Sequence, residues 1–205
     1  PTGDDEDTLY PPQSVILGEG TPFIGKTTLS YKDTNYEYPL TIMAVGLYGE
    51  TLLKTMGAQA GTPTFDGGVK AVETVLEAWG IPAEGTALRD GSGLSRYNYL
   101  APETLVHVLT RMFRDPAQSD SFFSALALVG RTGTVAGRMR NTPAAGRVRA
   151  NDGSMTGVRA LCGVVTTADG EPLVFAILAN SFAVPGPTVT AAIDARVVQL
   201  ASFKR

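Results

Sequence analysis

The chain has 205 residues, of which 43% are apolar, so it can bury the core of one domain or of a large part of one. No segment approaches the roughly 20 consecutive apolar residues that a membrane helix needs, and a net charge of −3 does not fit a nucleic-acid-binding surface. A single histidine and a single cysteine give no basis for a Cys/His metal site. We therefore predict no transmembrane segment, metal, cofactor or nucleic-acid partner.

Residues 1–27 are predicted to be an acidic, proline-containing arm that includes a short strand. Four acids follow one another at residues 4–7, and Tyr10-Pro11-Pro12 comes shortly after them. This composition is typical of a solvated segment without a packed core. The run Ser14–Leu17 predicts the strand, and residues 28–38, which are rich in Thr and Tyr, are predicted to be extended.

The segment Gly20–Thr27 matches the phosphate-loop pattern GxxxxGK[ST] letter for letter. Such a loop needs a helix directly after its lysine, because the N-terminus of that helix holds the phosphates. The residues after Lys26 lack helical periodicity, and Pro22 removes one of the backbone donors. Nucleotide binding is therefore the weakest of the functions that the sequence suggests.

Helical periodicity after residue 39 predicts a series of helices. The first runs from Leu40 to Met56 and stops at Gly57, and the second covers Gly68–Trp79. Tyr48 and Trp79 are expected in the core. Further helices are predicted from about Pro102, over residues 119–128 and over residues 188–203.

Two apolar strands are predicted near the C-terminus, Val158–Thr166 and Leu173–Ala179. The Asp169-Gly170 pair between them is a strong hairpin signal. Helices followed by a hairpin and a terminal helix favour an α/β (α+β) protein with an antiparallel sheet covered by helices.

Four segments carry a family resemblance: Leu47–Lys54 (LYGETLLK), Asp90–Asn98 (DGSGLSRYN), Gly133–Ala150 and Thr156–Gly170. In these residues and in their order, the chain resembles the class C low-molecular-mass penicillin-binding proteins, the serine D-Ala-D-Ala carboxypeptidases and endopeptidases that trim peptidoglycan. The resemblance covers roughly residues 28–205. It implies the penicillin-binding-protein/β-lactamase fold, with helices on both faces of an antiparallel sheet, here lacking the N-terminal strands and the nucleophile helix.

Catalysis in that family uses three motifs. In SxxK the serine is the nucleophile, and the lysine one helical turn later takes its proton. In SxN a second serine relays protons, and the asparagine holds the substrate peptide. In KTG the lysine supplies positive charge beside the cleft. Because a neutral serine is a poor nucleophile, acylation depends on this preassembled network.

The chain departs from all three motifs. No serine is followed three residues later by lysine, and the resemblance implies that this motif belongs to a segment N-terminal to these residues. The SxN pattern falls on Ala44-Val45-Gly46, and the KTG pattern falls on Asn151-Asp152-Gly153. We therefore expect no catalytic residue in this chain; the former motif positions are Ala44, Gly46, Asn151, Asp152 and Gly153.

Other polar residues of these segments are candidates for binding. Ser92, Ser95 and Asn98 are the candidates in the DGSGLSRYN loop, although hydrogen bonds to the loop's own backbone are the simpler interpretation. Four arginines could collect anionic ligands or form a solvated face, namely Arg138, Arg140, Arg147 and Arg149.

These observations leave three functional hypotheses. The first is a non-catalytic relative of the carboxypeptidases that acts as a binding or scaffold subunit. The second is the C-terminal part of an active peptidoglycan carboxypeptidase/endopeptidase, and the third is a nucleotide binder. Residues 28–205 alone would expose a sheet edge, so we expect another protein chain to cover the missing N-terminal part. The resemblance implies the periplasm or the cell exterior, with a plastid as an alternative.

Overall fold

A computed structural model describes residues 26–31, 34–81 and 85–205 of the chain. The predicted strand Ser14–Leu17, the acidic arm and residues 20–25 of the phosphate-loop pattern lie outside the described residues. The chain divides into two compact units. The first contains the described residues up to Val69 together with Asp90–Ser95, and the second contains Lys70–Arg89 and Arg96–Arg205.

The first unit opens with two antiparallel strands, β1 (Lys26–Tyr31) and β2 (Thr34–Pro39), which pair Lys26 with Pro39. The extended conformation predicted for residues 28–38 is therefore confirmed at residues 28–31 and 34–38. It also removes the context for a phosphate loop, since Lys26 begins a strand and not a helix. Helix α1 (Leu40–Gln59) follows, and α2 (Phe65–Ala78) begins within this unit.

Helix α1 continues past Gly57, so the predicted stop at that residue is wrong. The reason is a close approach of backbones: a Cβ atom on Gly57 would lie 2.6 Å from the backbone nitrogen of Gly68 in α2. A Cβ atom on Gly68 would in turn overlap the carbonyl oxygen of Leu53. These glycines let α1 and the start of α2 touch, and they bury Leu53 and Val69 beside the contact.

The second unit contains six strands and three complete α-helices among the described residues. They are β3 (Thr86–Ala87), β4 (Tyr99–Leu100), α3 (Pro102–Arg114), α4 (Ser119–Ala125), β5 (Ala127–Leu128), β6 (Val148–Met155), β7 (Val158–Thr166), β8 (Pro172–Asn180) and α5 (Gly186–Ser202). A four-stranded antiparallel sheet has the order β5-β6-β7-β8. Its long strands β6, β7 and β8 form two consecutive hairpins, and a separate two-stranded ribbon joins β3 to β4.

Most of the predicted elements of this unit are confirmed. Strands β7 and β8 agree with the predicted hairpin to within a residue, and α3 begins at Pro102 as predicted. The helix predicted over residues 119–128 is shorter, since α4 ends at Ala125. Residues Ala127 and Leu128 pair instead with Ala150 and Arg149 of β6, and that ladder ends the helix.

The core lies between the sheet and α5. Leu161 and Val165 of β7 are fully buried there against Ile193 and Val197 of α5. Helix α3 also packs against β7 and β8, and its buried Leu109 lies outside that cluster, which places α3 on the opposite face. The predicted architecture, an antiparallel sheet with helices on both faces, is therefore confirmed.

Two aromatic residues that were expected in the core are exposed. Tyr48 is 48% exposed and Trp79 is 38% exposed, so that expectation is wrong. Trp79 follows the end of α2, and the guanidinium carbon of Arg111 lies 5.9 Å from its ring centroid. A cation over one ring face stabilises a half-exposed tryptophan without full burial.

Candidate functional site

The residues Asn151-Asp152-Gly153, which the family resemblance assigns to the KTG position, lie in the middle of β6. Asn151 stands opposite Cys162 and Asp152 opposite Leu161 on β7. Because side chains alternate along a strand, Asn151 and Asp152 point to opposite faces of the sheet. Asn151 is exposed, whereas Asp152 is half-buried on the face that carries α5.

Asp152 is held by two partners from other elements. Its carboxylate accepts a hydrogen bond from the Thr134 hydroxyl, and its Oδ2 lies 3.5 Å from Nη1 of Arg138. The same guanidinium donates from Nε and Nη2 to Oδ1 of Asp194 on α5, at 3.0 and 2.5 Å. One arginine thus joins β6 to α5 through two carboxylates.

A cavity of about 130 Å³ adjoins this ion-pair network. Two arginines, Arg138 and Arg159, line it together with Asp152 and with the hydroxyl residues Ser154 and Thr190. Arg159 donates from Nη1 to the carbonyl oxygens of Met155 and Val158, at 2.6 and 2.7 Å. Arg138 and Asp152 therefore pair within the cavity, whereas Arg159 is held by backbone carbonyl groups.

The former SxN position lies in the first unit. Ala44 and Gly46 both belong to α1, and neither supplies the hydroxyl or the amide that the motif requires. A Cβ atom on Gly46 would come 3.4 Å from Cβ of Ser92, so the helix brings this position against the Asp90–Ser95 loop.

That loop is organised by Asp90. Its carboxylate accepts hydrogen bonds from the backbone N–H groups of Gly93, Leu94 and Ser95, at 2.9, 3.1 and 2.8 Å. It also accepts one from the Ser92 hydroxyl at 2.8 Å. A side chain that satisfies successive N–H groups fixes the loop much as a helix cap does.

A second carboxylate ties the loop to α1. Glu50 accepts hydrogen bonds through Oε1 from the N–H groups of Gly91 and Ser92, at 3.1 and 3.2 Å. A Cβ atom on Gly49 would overlap the carbonyl oxygen of Gly91, so only glycine permits this approach in the present geometry. Sequence reasoning missed the roles of Asp90 and Glu50, although the Asp-Gly-Ser-Gly spacing is a signal for the first of them.

The three candidate binding residues take part in hydrogen bonds of their own segments. Ser92 donates to Asp90, the N–H group of Ser95 also donates to Asp90, and Oδ1 of Asn98 accepts from the N–H group of Arg89 at 2.7 Å. These contacts agree with the simpler interpretation, in which the residues shape their own loop.

Two other side chains that could take part in chemistry are His107 and Cys162. His107 is exposed on α3. Cys162 is partly buried in β7, and desolvation raises the pKa of its thiol above the ordinary value. Within residues 26–31, 34–81 and 85–205, no three His, Cys, Asp or Glu side chains come together as a metal site. In the same residues, none of the helices combines the length and the hydropathy of a membrane span.

The antiparallel sheet with helices on both faces is the fold of the penicillin-binding-protein/β-lactamase class. Residues 46–202 match the D-Ala-D-Ala carboxypeptidase 3 (S13) family. The chain therefore belongs to that family.

Curated relatives support the same assignment. The chain is 38% identical to a D-alanyl-D-alanine carboxypeptidase of Actinomadura sp. (strain R39) over 162 residues, which cover 76% of this chain and 29% of the relative. It is 33% identical to penicillin-sensitive carboxypeptidase A of Dictyostelium discoideum over 77% of this chain and 32% of the relative. This chain thus spans about a third of the length of each.

A solved structure has the same fold. Penicillin binding protein 4 (dacB) of Haemophilus influenzae matches 82% of this chain and 41% of its own length, with a TM-score of 0.67 and 26% identity. In a second crystal structure of that protein, complexed with a β-lactam, the TM-score is 0.70 at 24% identity.

Proposed function

We propose that this chain is a non-catalytic member of the D-Ala-D-Ala carboxypeptidase family that acts as a binding or scaffold subunit. The observation that supports the proposal is the presence of the Asp152 carboxylate and its contacts. At the place where the family has the threonine of KTG, this chain has a carboxylate held by Arg138 and Thr134. The neighbouring Asn151 is neutral, so the position at which the family has its lysine carries no cation.

The physical reason is that acylation needs a group that accepts the serine proton and groups that stabilise the negative charge. A serine attacks a peptide carbonyl only when its proton is removed and the developing negative charge is stabilised. Ala44 and Gly46 cannot relay a proton or hold a peptide amide, and Asn151 cannot replace the electrostatic effect of a lysine. Losing two of the three motifs therefore removes groups needed both for proton transfer and for stabilising the negative charge.

A second candidate is the C-terminal part of an active carboxypeptidase. In its favour, the chain spans about a third of each curated relative. Its Asp90-centred loop is also ordered by hydrogen bonds from the backbone N–H groups to the Asp90 carboxylate. In that case an SxxK serine and lysine would come from residues beyond this sequence.

Turnover of a D-Ala-D-Ala peptide separates the two candidates. The natural product that contains this chain is incubated with a diacyl-Lys-D-Ala-D-Ala peptide, and released D-alanine is measured, with Haemophilus influenzae penicillin binding protein 4 tested in parallel. We expect no release above the buffer rate. Release that benzylpenicillin abolishes would support the active fragment instead.

We further propose that another polypeptide segment covers the outer edge of β8. Among the described strands, this nine-residue strand (PLVFAILAN) pairs only with β7, although it is long and apolar. Such an edge readily accepts a further strand. Native mass spectrometry of the protein from its source would identify the partner, and a bare 21.5 kDa species would contradict the proposal.

We place the protein outside the cytoplasm, in the periplasm or at the cell exterior, because the activity for which the family is named concerns D-Ala-D-Ala peptides. The plastid alternative has no support in the comparisons and is dropped. Cell fractionation followed by immunoblotting would test the location, and recovery in the cytosolic fraction would contradict it.

A further inference from the structure

The cavity beneath α5 carries a separation of charge that the proposed function does not use. Its walls come from β6, β7 and α5 and include Asp152, Ser154, Arg159 and Thr190. The charged strand residues lie on the α5 face of the sheet, opposite to the face of Asn151. Ser154 is exposed, so the cavity opens to solvent beside it.

One cation in this wall, Arg159, has no acid partner. Among the described residues, no carboxylate oxygen lies within 4.0 Å of its guanidinium. Nη1 donates to the carbonyl oxygens of Met155 and Val158, whereas Nε and Nη2 donate to none of the described residues. A half-buried cation that is held only by neutral carbonyl groups favours an anionic partner.

The position of the Arg159 guanidinium is fixed by its surroundings. It lies across Gly186 at the start of α5, where an added Cβ atom would overlap Nη2. Its central carbon lies 5.9 Å from the ring centroid of Phe182. The donor is therefore ordered before a ligand arrives, which reduces the entropy lost on binding.

An excess of negative charge lies beside the same cavity. Arg138 is shared by the carboxylates of Asp152 and Asp194, so these three side chains together carry one net negative charge. The contact between Asp152 and Arg138 is long, at 3.5 Å, and among the described residues Asp152 accepts one further hydrogen bond, from Thr134. A carboxylate has about four acceptor sites, so Asp152 has capacity for another donor.

A ligand that carries both charges would satisfy both groups. The two arginines and the two acids sum to zero, so a ligand with a net charge would leave that charge uncompensated in a half-buried site. A zwitterion instead places its carboxylate against Arg159 and the Ser154 hydroxyl, and its ammonium group against Asp152. A free α-amino acid has this pair of groups in one small molecule.

The volume of the cavity restricts the side chain of such a ligand. A cavity of about 150 Å³ holds benzene, which has about six non-hydrogen atoms, the same number as alanine. The present cavity measures about 130 Å³. Ala160 of β7 and the buried Ile193 of α5 supply the apolar part of its wall. These contacts suit the hydrogen atom of glycine or the methyl group of alanine and exclude an aromatic side chain.

We propose that the cavity between β6, β7 and α5 binds a small free α-amino acid of the size of glycine or alanine. The inference goes beyond the proposed function and does not depend on catalytic inactivity. Amino-acid binding and peptide turnover are separate measurements, so either proposal can fail without the other.

Isothermal titration calorimetry of the full chain with D-alanine and with L-alanine tests the proposal. We expect saturable binding of at least one enantiomer, with a Kd of about 1 mM or tighter. Acetate and ethylamine each lack one of the two charges, and phenylalanine exceeds the cavity. Each of these three compounds should therefore bind at least about tenfold more weakly.

Two variants alter the site with little change to the rest of the fold. Ser154→Ala removes a hydroxyl from an exposed position, and Gly186→Ala displaces the Arg159 guanidinium. We expect each to weaken binding by about fivefold or more. The matched control, Arg196→Gln, removes an exposed arginine of α5 and should change the Kd less than about twofold.

Three results would overturn the proposal. One is binding of acetate as tight as that of alanine, which would assign the cavity to a simple anion. Another is an equal loss of affinity in Arg196→Gln and in the two site variants. The third is the lack of saturable binding of either alanine enantiomer while circular dichroism shows the protein folded.

Discussion

The Asp152 carboxylate shares the guanidinium of Arg138 with Asp194, and the three side chains are each at most 21% exposed. The substitution Asp152→Thr would restore the threonine of the family motif but remove one charged partner of Arg138. We expect it to lower the free energy of unfolding by about 1 kcal/mol, the range for a partly buried charged hydrogen bond whose cation keeps a second partner. Urea denaturation measures the effect.

The substitution Asp194→Asn is the companion experiment. It removes the carboxylate that accepts from both Nε and Nη2, so we expect a larger loss of about 2 kcal/mol. If Asp152→Thr were as stable as the parent protein, the network would not be the reason for an acid at this position.

Cys162 offers a test of burial at a single side chain. Desolvation raises the pKa of its thiol, so the reactive thiolate is scarce at neutral pH. We predict that a thiol reagent labels the folded protein at pH 8 at least about tenfold more slowly than the urea-unfolded protein. Equal labelling rates would show that the β7 position is open to solvent.

At the scale of strands and turns, Gly163 of β7 lies against the β6 backbone. A Cβ atom there would overlap the carbonyl oxygen of Arg149 and lie 2.8 Å from Cα of Ala150, so the strands would have to separate. We expect Gly163→Ala to destabilise the protein by about 2–3 kcal/mol, the upper part of the range for overpacking.

Gly153 provides the matched control for that change. It lies in the neighbouring strand β6, and a Cβ atom on it would have Ala160 Cβ as its nearest contact, at 3.6 Å. Gly153→Ala should therefore shift the urea midpoint little. A similar loss in both variants would contradict the β6–β7 register described above.

The turn between β7 and β8 should make stability depend on pH. A hydrogen bond from the Thr167 hydroxyl, followed by one from the Arg205 N–H group, lowers the pKa of Asp169. A lowered folded pKa means that the stabilisation is present above the unfolded value of about 4 and is lost as the pH falls through the folded value. We predict that Asp169→Asn lowers the melting temperature at pH 7 and that the difference from the parent protein narrows below about pH 4.

Local elements were the part of the fold that the sequence could predict. The Asp169-Gly170 pair and the flanking apolar runs define β7 and β8 because a hairpin depends on neighbouring residues only. The extension of α1 through Gly57 could not be predicted, since it depends on the contact with Gly68 across a loop. The same limit applies to Trp79, whose exposure is set by its position after α2 and by Arg111.

Prediction of the site was limited in the same way: the motif positions could be read from neighbouring residues, but contacts between residues distant in sequence could not. The order of the motifs along the chain assigned Asn151-Asp152-Gly153 to the KTG position, and the structure places these residues in β6. The partners of Asp152 could not be predicted, because Thr134 lies 18 residues before it, and Arg138 reaches Asp194 over 56 residues. Only the folded sheet brings these groups together.

For the molecule as a whole, we propose that an inherited carboxypeptidase scaffold has lost its chemistry. Residues 46–202 match the family, and the residues that we assign to the SxN and KTG positions lack the hydroxyl, amide and ammonium groups of those motifs. Replacing all four changed positions in this chain, with Ala44→Ser, Gly46→Asn, Asn151→Lys and Asp152→Thr, should not produce D-alanine release, since the 205 residues contain no SxxK. Turnover by that variant would place the nucleophile within these residues.

Covalent labelling by penicillin reports directly on whether the protein can catalyse acylation, because acylation requires the nucleophile and its activating groups together. The natural product that contains this chain is treated with a fluorescent penicillin, with Haemophilus influenzae penicillin binding protein 4 as the positive control, and its intact mass is measured. We predict no fluorescent band and no added mass. A stoichiometric adduct that unlabelled benzylpenicillin prevents would contradict the account.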